Sequence, residues 1–367
     1  MKEKLNNLYT LIVLFLSGVV LGIGIFSYFV YHEDIFSDSK ILTVLTLIVL
    51  FLLAYILQTI IHEAGHLIFG LLSGYSFISF RVGNIILIKQ NDKKVLKKFS
   101  LSGTIGQCLM SPPDMSDDKT PYFLYNIGGI LMNLIFAFIF YLIRIKVNVY
   151  PFDFFAQAMI TIGIYNAILN GVPIKDKNVS NDGYNIISLR NNKLALKAIW
   201  LVLKSNEYLA NGIRLKDIDE KLFQIDIDPS NVTSSSVLVL RENRYMDMHD
   251  FVNARKCIDE LLNNNYNLNG IHKLLMKLDL LFIDIIENKD FDQEILNDKE
   301  MKAFIKSMKN FPSIIRSQYA YYLFNNNKEK VIELENNFNK VSLTYPYSSE
   351  IESEEELMSI ARQTLNN

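Results

Sequence analysis

Apolar residues are concentrated in the first half of this 367-residue chain, in four long stretches without Asp, Glu, Lys or Arg. The stretches cover residues 9–30, 41–61, 122–143 and 154–172. A helix needs about 20 apolar residues to cross a hydrocarbon core of about 30 Å. The pattern therefore predicts a mostly α-helical, polytopic membrane protein with four transmembrane helices.

The first stretch has two interpretations, a retained helix or a cleaved signal peptide. Its apolar run is too long for the core of a signal peptide, and no small-residue cleavage site follows it. We therefore predict a retained helix. Lys and Arg residues are frequent before residue 9 and between residues 73 and 121, whereas residues 32–40 are mainly acidic. This asymmetry predicts cytoplasmic N- and C-termini. Arg144 and Lys146, in the loop after the third stretch, count against this orientation.

The basic segment between the second and third stretches carries a different pattern. Residues 77–90 are rich in β-branched and aromatic side chains, and residues 95–101 follow after a polar turn. This composition predicts a small cytoplasmic β-hairpin or sheet. The alternative is a disordered basic loop that lies on anionic lipid.

From about residue 190 the composition is that of a soluble helical domain. Tyr245 precedes Ala254 by nine residues, and Tyr322 precedes Val331 by the same distance. These segments, with residues 290–295 as a middle copy, resemble a degenerate tetratricopeptide repeat. The alternative is a plain helical bundle. A repeat would offer a concave surface to a protein partner.

Charge and cysteine content exclude several classes of function. The formal net charge is −2, which gives no support for nucleic-acid binding. The two cysteines, Cys108 and Cys257, lie far apart, so we expect neither a disulfide framework nor a cysteine-based zinc site.

The most informative motif is His62-Glu63-Ala64-Gly65-His66, directly after the uncharged residues 41–61. Residues four apart share one face of a helix, so both imidazoles can bind one zinc ion (Zn²⁺). Glu63 would lie beside the metal and act as general base for a zinc-bound hydroxide. Titratable groups at membrane depth are costly and usually functional. The alternative is a set of polar groups that solvate one another at a helix end.

A catalytic zinc site needs a third protein ligand. Asp182, in Asn181-Asp182-Gly183, follows the fourth apolar stretch after a short loop, and Gly183 would allow a tight turn that aims the carboxylate. Asp176 is the local rival. On spacing alone, the triplet is as consistent with a plain turn as with a ligand.

Three motifs together resemble the site-2 protease family of intramembrane zinc metalloproteases. The first is the histidine motif at residues 62–66. The second is Gly128-Gly129-Ile130-Leu131-Met132-Asn133, similar to a glycine-rich GPxxN stretch, although Ile130 stands where Pro is common. The third is Asn170-Gly171-Val172-Pro173 followed by residues 181–183, similar to NxxP…DG with a longer spacing. The resemblance covers residues 41–185.

The resemblance implies roles for individual residues. Asp182 becomes the third zinc ligand. Asn133 would bind the substrate backbone or the developing oxyanion, and Asn170 an unwound substrate strand. Intramembrane Asn residues also hold helices together, which is the alternative for both. Gly128 and Gly129 are expected to allow close helix packing.

The resemblance also implies an activity and a domain order. We expect a metalloendopeptidase of the bacterial cytoplasmic membrane that hydrolyses membrane-embedded proteins or peptides, such as anti-sigma factors, signal-peptide remnants or peptide precursors. Residues 1–40 would form the first transmembrane helix and a short outer loop, residues 41–188 the metalloprotease core in the lipid bilayer, and residues 189–367 the cytoplasmic helical domain.

Two other interpretations remain open. The chain is consistent with a catalytically silent membrane adaptor that presents its helical domain to a partner. The complete set of His62, Glu63, His66 and Asp182 argues against this, because an adaptor need not retain it. A metal-dependent membrane enzyme of different chemistry is the third interpretation, and only the asparagine and glycine motifs count against it.

Overall fold

The computed structural model describes residues 2–31, 40–101, 104–115, 120–147, 149–174, 180–264 and 266–365. The chain is mostly helical, with a small antiparallel sheet. It divides into two compact units. The first unit contains Met1–Ser76, Gly106–Cys108 and Pro121–Asn191, and the second contains Phe77–Ile105, Leu109–Thr120 and Asn192–Asn367.

The first unit consists of five helices within the described residues. They are α1 (Lys2–Tyr31), α2 (Lys40–Leu72), α3 (Tyr122–Lys146), α4 (Phe152–Gly171) and α5 (Asp182–Leu189). The first four are long and apolar enough to cross a membrane, so the four helices that the hydrophobic pattern predicts are confirmed as helices. The short α5 follows α4 and contacts both α3 and α4.

Helix α4 is the most enclosed of the four long helices. In the most apolar 18-residue segment of α4, half of the residues are buried, compared with about a tenth in the corresponding segment of α1. Helix α4 contacts α1, α2 and α3. Because its neighbours are protein, α4 can carry polar side chains that a lipid-facing helix would not. Gln157, for example, donates a hydrogen bond to the backbone oxygen of Gly24 on α1. This explains why the fourth apolar stretch is the most polar in sequence.

Helices α2 and α3 approach each other closely at glycine residues. A Cβ atom added to Gly128 would lie 2.9 Å from the carbonyl carbon of Gly65 and 2.9 Å from Cβ of Phe69. A Cβ atom at Gly129 would lie 2.6 Å from the ring of His62. The expected role of Gly128 and Gly129 in close helix packing is confirmed.

The sheet has four strands in the order β3-β2-β1-β4. Its strands are β1 (Ser76–Val82), β2 (Ile85–Gln90), β3 (Lys93–Lys98) and β4 (Gly106–Ser111). The first three form the predicted antiparallel structure, with Ser79 opposite Ile88 and Leu87 opposite Leu96. Asn91 and Asp92 join β2 to β3 with positive φ angles, which suits a tight two-residue hairpin turn. The fourth strand, at one edge, was not predicted.

The second unit also contains eight helices within its described part. They are α6 (Lys193–Ala210), α7 (Val232–Asp247), α8 (Phe251–Asn263), α9 (Gly270–Ile286), α10 (Lys299–Ser307), α11 (Pro312–Phe324), α12 (Lys328–Ser342) and α13 (Ser348–Leu365). They surround one apolar core that includes Leu201, Ile258, Phe282 and Ile315. Asn or Asp side chains cap the N-termini of most of these helices, as in α7, where Asn231 accepts from the backbone N–H of Ser234.

The glycine contact between α2 and α3 generates a stability prediction. Gly128→Ala should lower the free energy of unfolding by about 1–3 kcal/mol, because the added methyl overlaps backbone atoms that cannot move aside. Gly22→Ala on α1 is the matched control, since a Cβ atom there meets no atom within 4 Å. Thermal unfolding followed by circular dichroism in detergent measures both. Equal unfolding temperatures would show that α2 and α3 are not in close contact.

Candidate metal centre

Three candidate ligand atoms converge in the first unit. Helix α2 places His62 and His66 one turn apart, and Asp182 is the first residue of α5. The Nε2 atoms of the two histidines lie 3.1 Å apart. Oδ2 of Asp182 lies 3.2 Å from Nε2 of His62 and 3.4 Å from Nε2 of His66. The three residues predicted from sequence as metal ligands are therefore brought together.

The dimensions of this triangle suit a tetrahedral metal ion. Zinc binds imidazole nitrogen and carboxylate oxygen at about 2.0–2.1 Å, which places tetrahedral ligands about 3.3 Å from one another. The three observed separations are 3.1, 3.2 and 3.4 Å. Two nitrogen ligands and one oxygen ligand match the composition of catalytic zinc sites, in which a fourth position is left for water.

Hydrogen bonds fix the orientation of both imidazole rings. Nδ1 of His62 lies 2.7 Å from Oδ1 of Asn133. Nδ1 of His66 lies 2.7 Å from the carbonyl oxygen of Tyr125. A carbonyl oxygen can only accept, so each Nδ1 atom carries a hydrogen and each Nε2 atom of a neutral ring has a lone pair. Such second partners are typical of histidines that bind metals.

The identity of the Asn133 oxygen follows from its other bonds. The Nδ2 atom of Asn133 donates to the backbone oxygen of Gln58 at 2.9 Å and to its Oε1 atom at 2.7 Å. Gln58 in turn donates from Nε2 to the backbone oxygen of Met159 at 2.7 Å. Because the amide nitrogen is committed to Gln58, the amide oxygen faces His62. This chain of amides links α3, α2 and α4.

The resulting arrangement places three hydrogen-bond acceptors against one another. Oδ2 of Asp182 is buried and has no hydrogen-bond donor among the described residues. Metal ligands bind in their deprotonated forms, so with a metal bound both rings would be neutral and Asp182 ionised. An unpartnered carboxylate oxygen facing two imidazole nitrogens is the donor set that a divalent cation requires.

Asn181 holds Asp182 in place. It caps the N-terminus of α5 by accepting from the backbone N–H of Tyr184 at 2.9 Å. Its Nδ2 atom donates to the carbonyl oxygens of Leu169 and Val172, each at 2.6 Å. The cap therefore ties the end of α4 to the start of α5. The sequence motif contained Asn181, but sequence reasoning gave it no role.

The expected role of Gly183 is wrong in its detail. Gly183 lies in the first turn of α5 and not in a tight turn. A Cβ atom at this position would lie 2.8 Å from the carbonyl carbon of Gly171, so the glycine allows α5 to approach the end of α4. Asp176, the rival third ligand, lies outside the described residues.

Glu63 is buried beside the first residues of β4. Its side chain is 8 % exposed, as are those of His62 and His66. A Cβ atom at Gly106 would lie 2.7 Å from Cγ and 2.9 Å from Cδ of Glu63, so glycine at this position leaves room for the carboxylate where it lies. The hydroxyl of Tyr125 donates to the carbonyl oxygen of Cys108 at 2.8 Å. Tyr125 therefore fixes both His66 and the beginning of β4.

Asn133 and Asn170, the two asparagines singled out in the sequence, have different surroundings. The side chain of Asn133 is fully buried and bonded at both ends. Within the described part of the chain, the side chain of Asn170 donates to the backbone oxygen of Asn166, one turn earlier on α4, at 3.0 Å. The roles of these residues toward a substrate stay predictions.

Sequence reasoning missed Gln58, Tyr125 and Gly106. Gln58 had a signal, because it is a polar residue in an otherwise apolar stretch and such residues are costly at membrane depth. Tyr125 contributes a backbone oxygen to His66, which any residue could supply.

Comparison of the chain with protein-family models, curated proteins and solved structures finds no match. The functional argument therefore rests on the chain itself.

The hydrogen bond between Nδ1 of His62 and Oδ1 of Asn133 generates a prediction about zinc binding. The full chain, purified in detergent, should contain about one zinc ion, and Asp182→Asn should lose it. Asn133→Ala should weaken zinc affinity by about 10–100-fold, because His62 loses the partner that orients it. Asn170→Ala is the matched control and should bind zinc like the wild type. Metal content and competition with a chelator measure both effects. A wild-type protein that takes up no zinc would instead indicate a histidine–aspartate ion pair.

Proposed function

We propose that the chain is an intramembrane zinc metalloprotease, similar to the site-2 protease family, that hydrolyses membrane-embedded proteins or peptides. The convergence of His62, His66 and Asp182, with both Nδ1 atoms held by oxygen acceptors, carries the proposal. Glu63 supports it, because a buried carboxylate beside such a site is the group that peptide hydrolysis needs.

The proposed location is the cell membrane, with both termini in the cytoplasm. Four helices that are long and apolar enough to cross a bilayer support the location. The histidine motif lies within α2, after an uncharged stretch of that helix. A buried zinc centre in a bilayer would act on substrates that share the bilayer. Membrane-anchored remnants of cleaved proteins and precursors of secreted peptides are substrates of this kind.

Each residue of the site has a distinct task in this mechanism. His62, His66 and Asp182 would hold zinc, which when bound acts as a Lewis acid and lowers the pKa of a bound water to about 7. Glu63 accepts the proton of the attacking water and delivers it to the leaving amine. Asn133 and Tyr125 keep the imidazole lone pairs directed at the metal. The close contact of α2 with α3 covers one side of the site.

Strand β4 is suited to hold an unwound substrate. A transmembrane helix hides its peptide bonds in intrahelical hydrogen bonds and must open before hydrolysis. Among the described strands, β4 is at the edge of the sheet, and its first residue packs against Glu63. An extended substrate paired with this edge would pass beside the general base.

A catalytically silent adaptor is the second candidate. It would keep the fold and use the C-terminal helical domain, whether repeat or plain bundle, to bind a protein partner. The buried Glu63 at a complete ligand set counts against it, because an adaptor needs no general base.

The proposed role of Glu63 can be tested by comparing the membrane and secreted peptides of cells that carry wild type or Glu63→Gln. The glutamine keeps the shape of the side chain and leaves the zinc ligands intact, but it accepts no proton. A membrane-anchored segment should therefore accumulate, and its cleaved product should disappear. Glu352→Gln, on the exposed surface of α13, is the matched control and should leave the peptides unchanged. Identical peptides in all three strains, with zinc still bound, would favour the adaptor.

The proposed pairing at β4 predicts that Gln107→Pro lowers kcat/KM for the identified substrate by about tenfold. Proline removes one donor and distorts the edge, and one or two backbone hydrogen bonds contribute about 0.5–1.5 kcal/mol each. Lys94→Pro, in the edge strand β3 at the opposite side of the sheet, is the matched control. Both variants should keep zinc and unfold at similar temperatures. Equal kcat/KM values for the two variants would exclude β4 as the substrate strand.

A further inference from the structure

A cavity of about 660 Å³ lies within the second unit, between α7, α8 and the segment that precedes α7. Its volume falls in the range of about 300–1,000 Å³ that is typical of ligand sites. Three aromatic side chains form part of its wall: Phe223, Tyr245 and Tyr266. The cavity contains none of the residues of the candidate metal centre.

Arg244 lies in the wall of this cavity without an anionic partner. Its side chain is 8 % exposed. The guanidinium group contacts the Sδ atom of Met248 at 3.0 Å and the ring of Phe223 at 5.3 Å, and its Nη2 atom donates to the carbonyl oxygen of Lys216 at 3.5 Å. Its Nε atom has no hydrogen-bond partner among the described residues. No described carboxylate forms an ion pair with it. Burial of a charge without a counter-ion is costly.

Arg241, one turn earlier on α7, extends the positive surface. Its Nε and Nη2 atoms donate to the carbonyl oxygens of Phe223 and Ile225, at 2.7 and 2.6 Å. These bonds fix the segment before α7, and none of them neutralises the charge. Of the acidic residues in the wall, Glu260 accepts from the hydroxyl of Tyr266. Glu220 and Asp226 are exposed to solvent.

The other described arginines between the start of α6 and the end of α13 show what is unusual here. Each of them forms an ion pair with at least one carboxylate: Arg214, Arg255, Arg316 and Arg362. Arg241 and Arg244 are the exceptions, and both face the same cavity. An arginine cannot discharge by losing its proton, because its pKa stays above about 12. A ligand with a negative charge would supply the missing counter-ion.

We infer that the cavity binds an acidic peptide, with a carboxylate of the peptide on Arg244 and Arg241. The planar guanidinium group matches a carboxylate with two parallel hydrogen bonds. The aromatic wall suits apolar side chains next to the acidic one. The backbone N–H groups of Asp226 and Ile227 have no partner among the described residues, so an extended peptide can pair with this segment. The site does not depend on the activity of the metal centre.

The full chain in detergent micelles can be tested with two fluorescein-labelled decapeptides. One alternates leucine and glutamate, and the other alternates leucine and glutamine. Fluorescence anisotropy should show the acidic peptide binding at least tenfold more tightly, and added salt should weaken its binding. Empty micelles correct for partitioning of the peptides. Equal affinity for the two peptides would overturn the inference without any variant being needed.

Variants locate the site. Arg244→Gln should weaken binding of the acidic peptide at least tenfold, and Arg244→Lys should weaken it less. Arg362→Gln is the matched control, because Arg362 pairs with Glu335 outside the cavity, and it should bind like the wild type. Loss of binding in the control, or unchanged binding in Arg244→Gln, would contradict the assignment.

The unfolding temperature of an Arg244 variant shows whether Arg244 binds a ligand or stabilises the fold. Trp200 is the single tryptophan of the chain and lies on α6, so its fluorescence follows unfolding of the second unit. Without peptide, Arg244→Met should unfold at an equal or higher temperature than the wild type, because it removes an unpaired buried charge. A lower unfolding temperature would mean that Arg244 serves the fold, and the inference would fail. It would also fail if inorganic phosphate stabilised the wild type as strongly as the acidic peptide, since a small anion would then suffice.

Discussion

The first unit depends on one electrostatic conflict, the convergence of two imidazole lone pairs and a carboxylate oxygen within 3.1–3.4 Å of one another. Three acceptors at this distance repel unless a cation lies between them. The surrounding contacts keep them together all the same. Glycines bring α2 and α3 together, the amide of Asn133 orients His62, and Asn181 fixes the start of α5. A metal ion bound by all three atoms, as in the proposed function, would remove the conflict.

Polar side chains in this region are arranged so that each satisfies the next. Gln58 donates to the backbone of α4 and accepts from Asn133, and Asn133 accepts from His62. In a low-dielectric interior such a chain is stronger than in water, but any member left unpaired would be costly. The network therefore does two things at once. It offsets the cost of polar groups among apolar helices, and it selects a single ring orientation for His62.

The sequence was sufficient for features that depend on local spacing. The uncharged residues 41–61 predicted most of α2, and the four-residue separation of His62 and His66 predicted their shared face. Asp182 needed the family resemblance, because nothing local distinguishes it from a turn residue. The carbonyl oxygen of Tyr125 could not be predicted, since every residue has one. Strand β4 could not be predicted either, because it forms by pairing with β1, far away along the chain.

A buried ionisable side chain without a partner indicates a missing ligand only when it cannot lose its charge by gaining or releasing a proton. Glu242 on α7 is fully buried, and neither of its oxygens has a partner among the described residues. Burial, reinforced by the charge of Asp279, raises the pKa of Glu242 well above its ordinary value, which favours the neutral acid that needs no counter-ion. Arg244 lies two residues further along the same helix and cannot be neutralised in this way, because a guanidinium group in a protein keeps its charge. Of two buried, unpaired side chains on one helix, only the arginine therefore indicates a missing ligand.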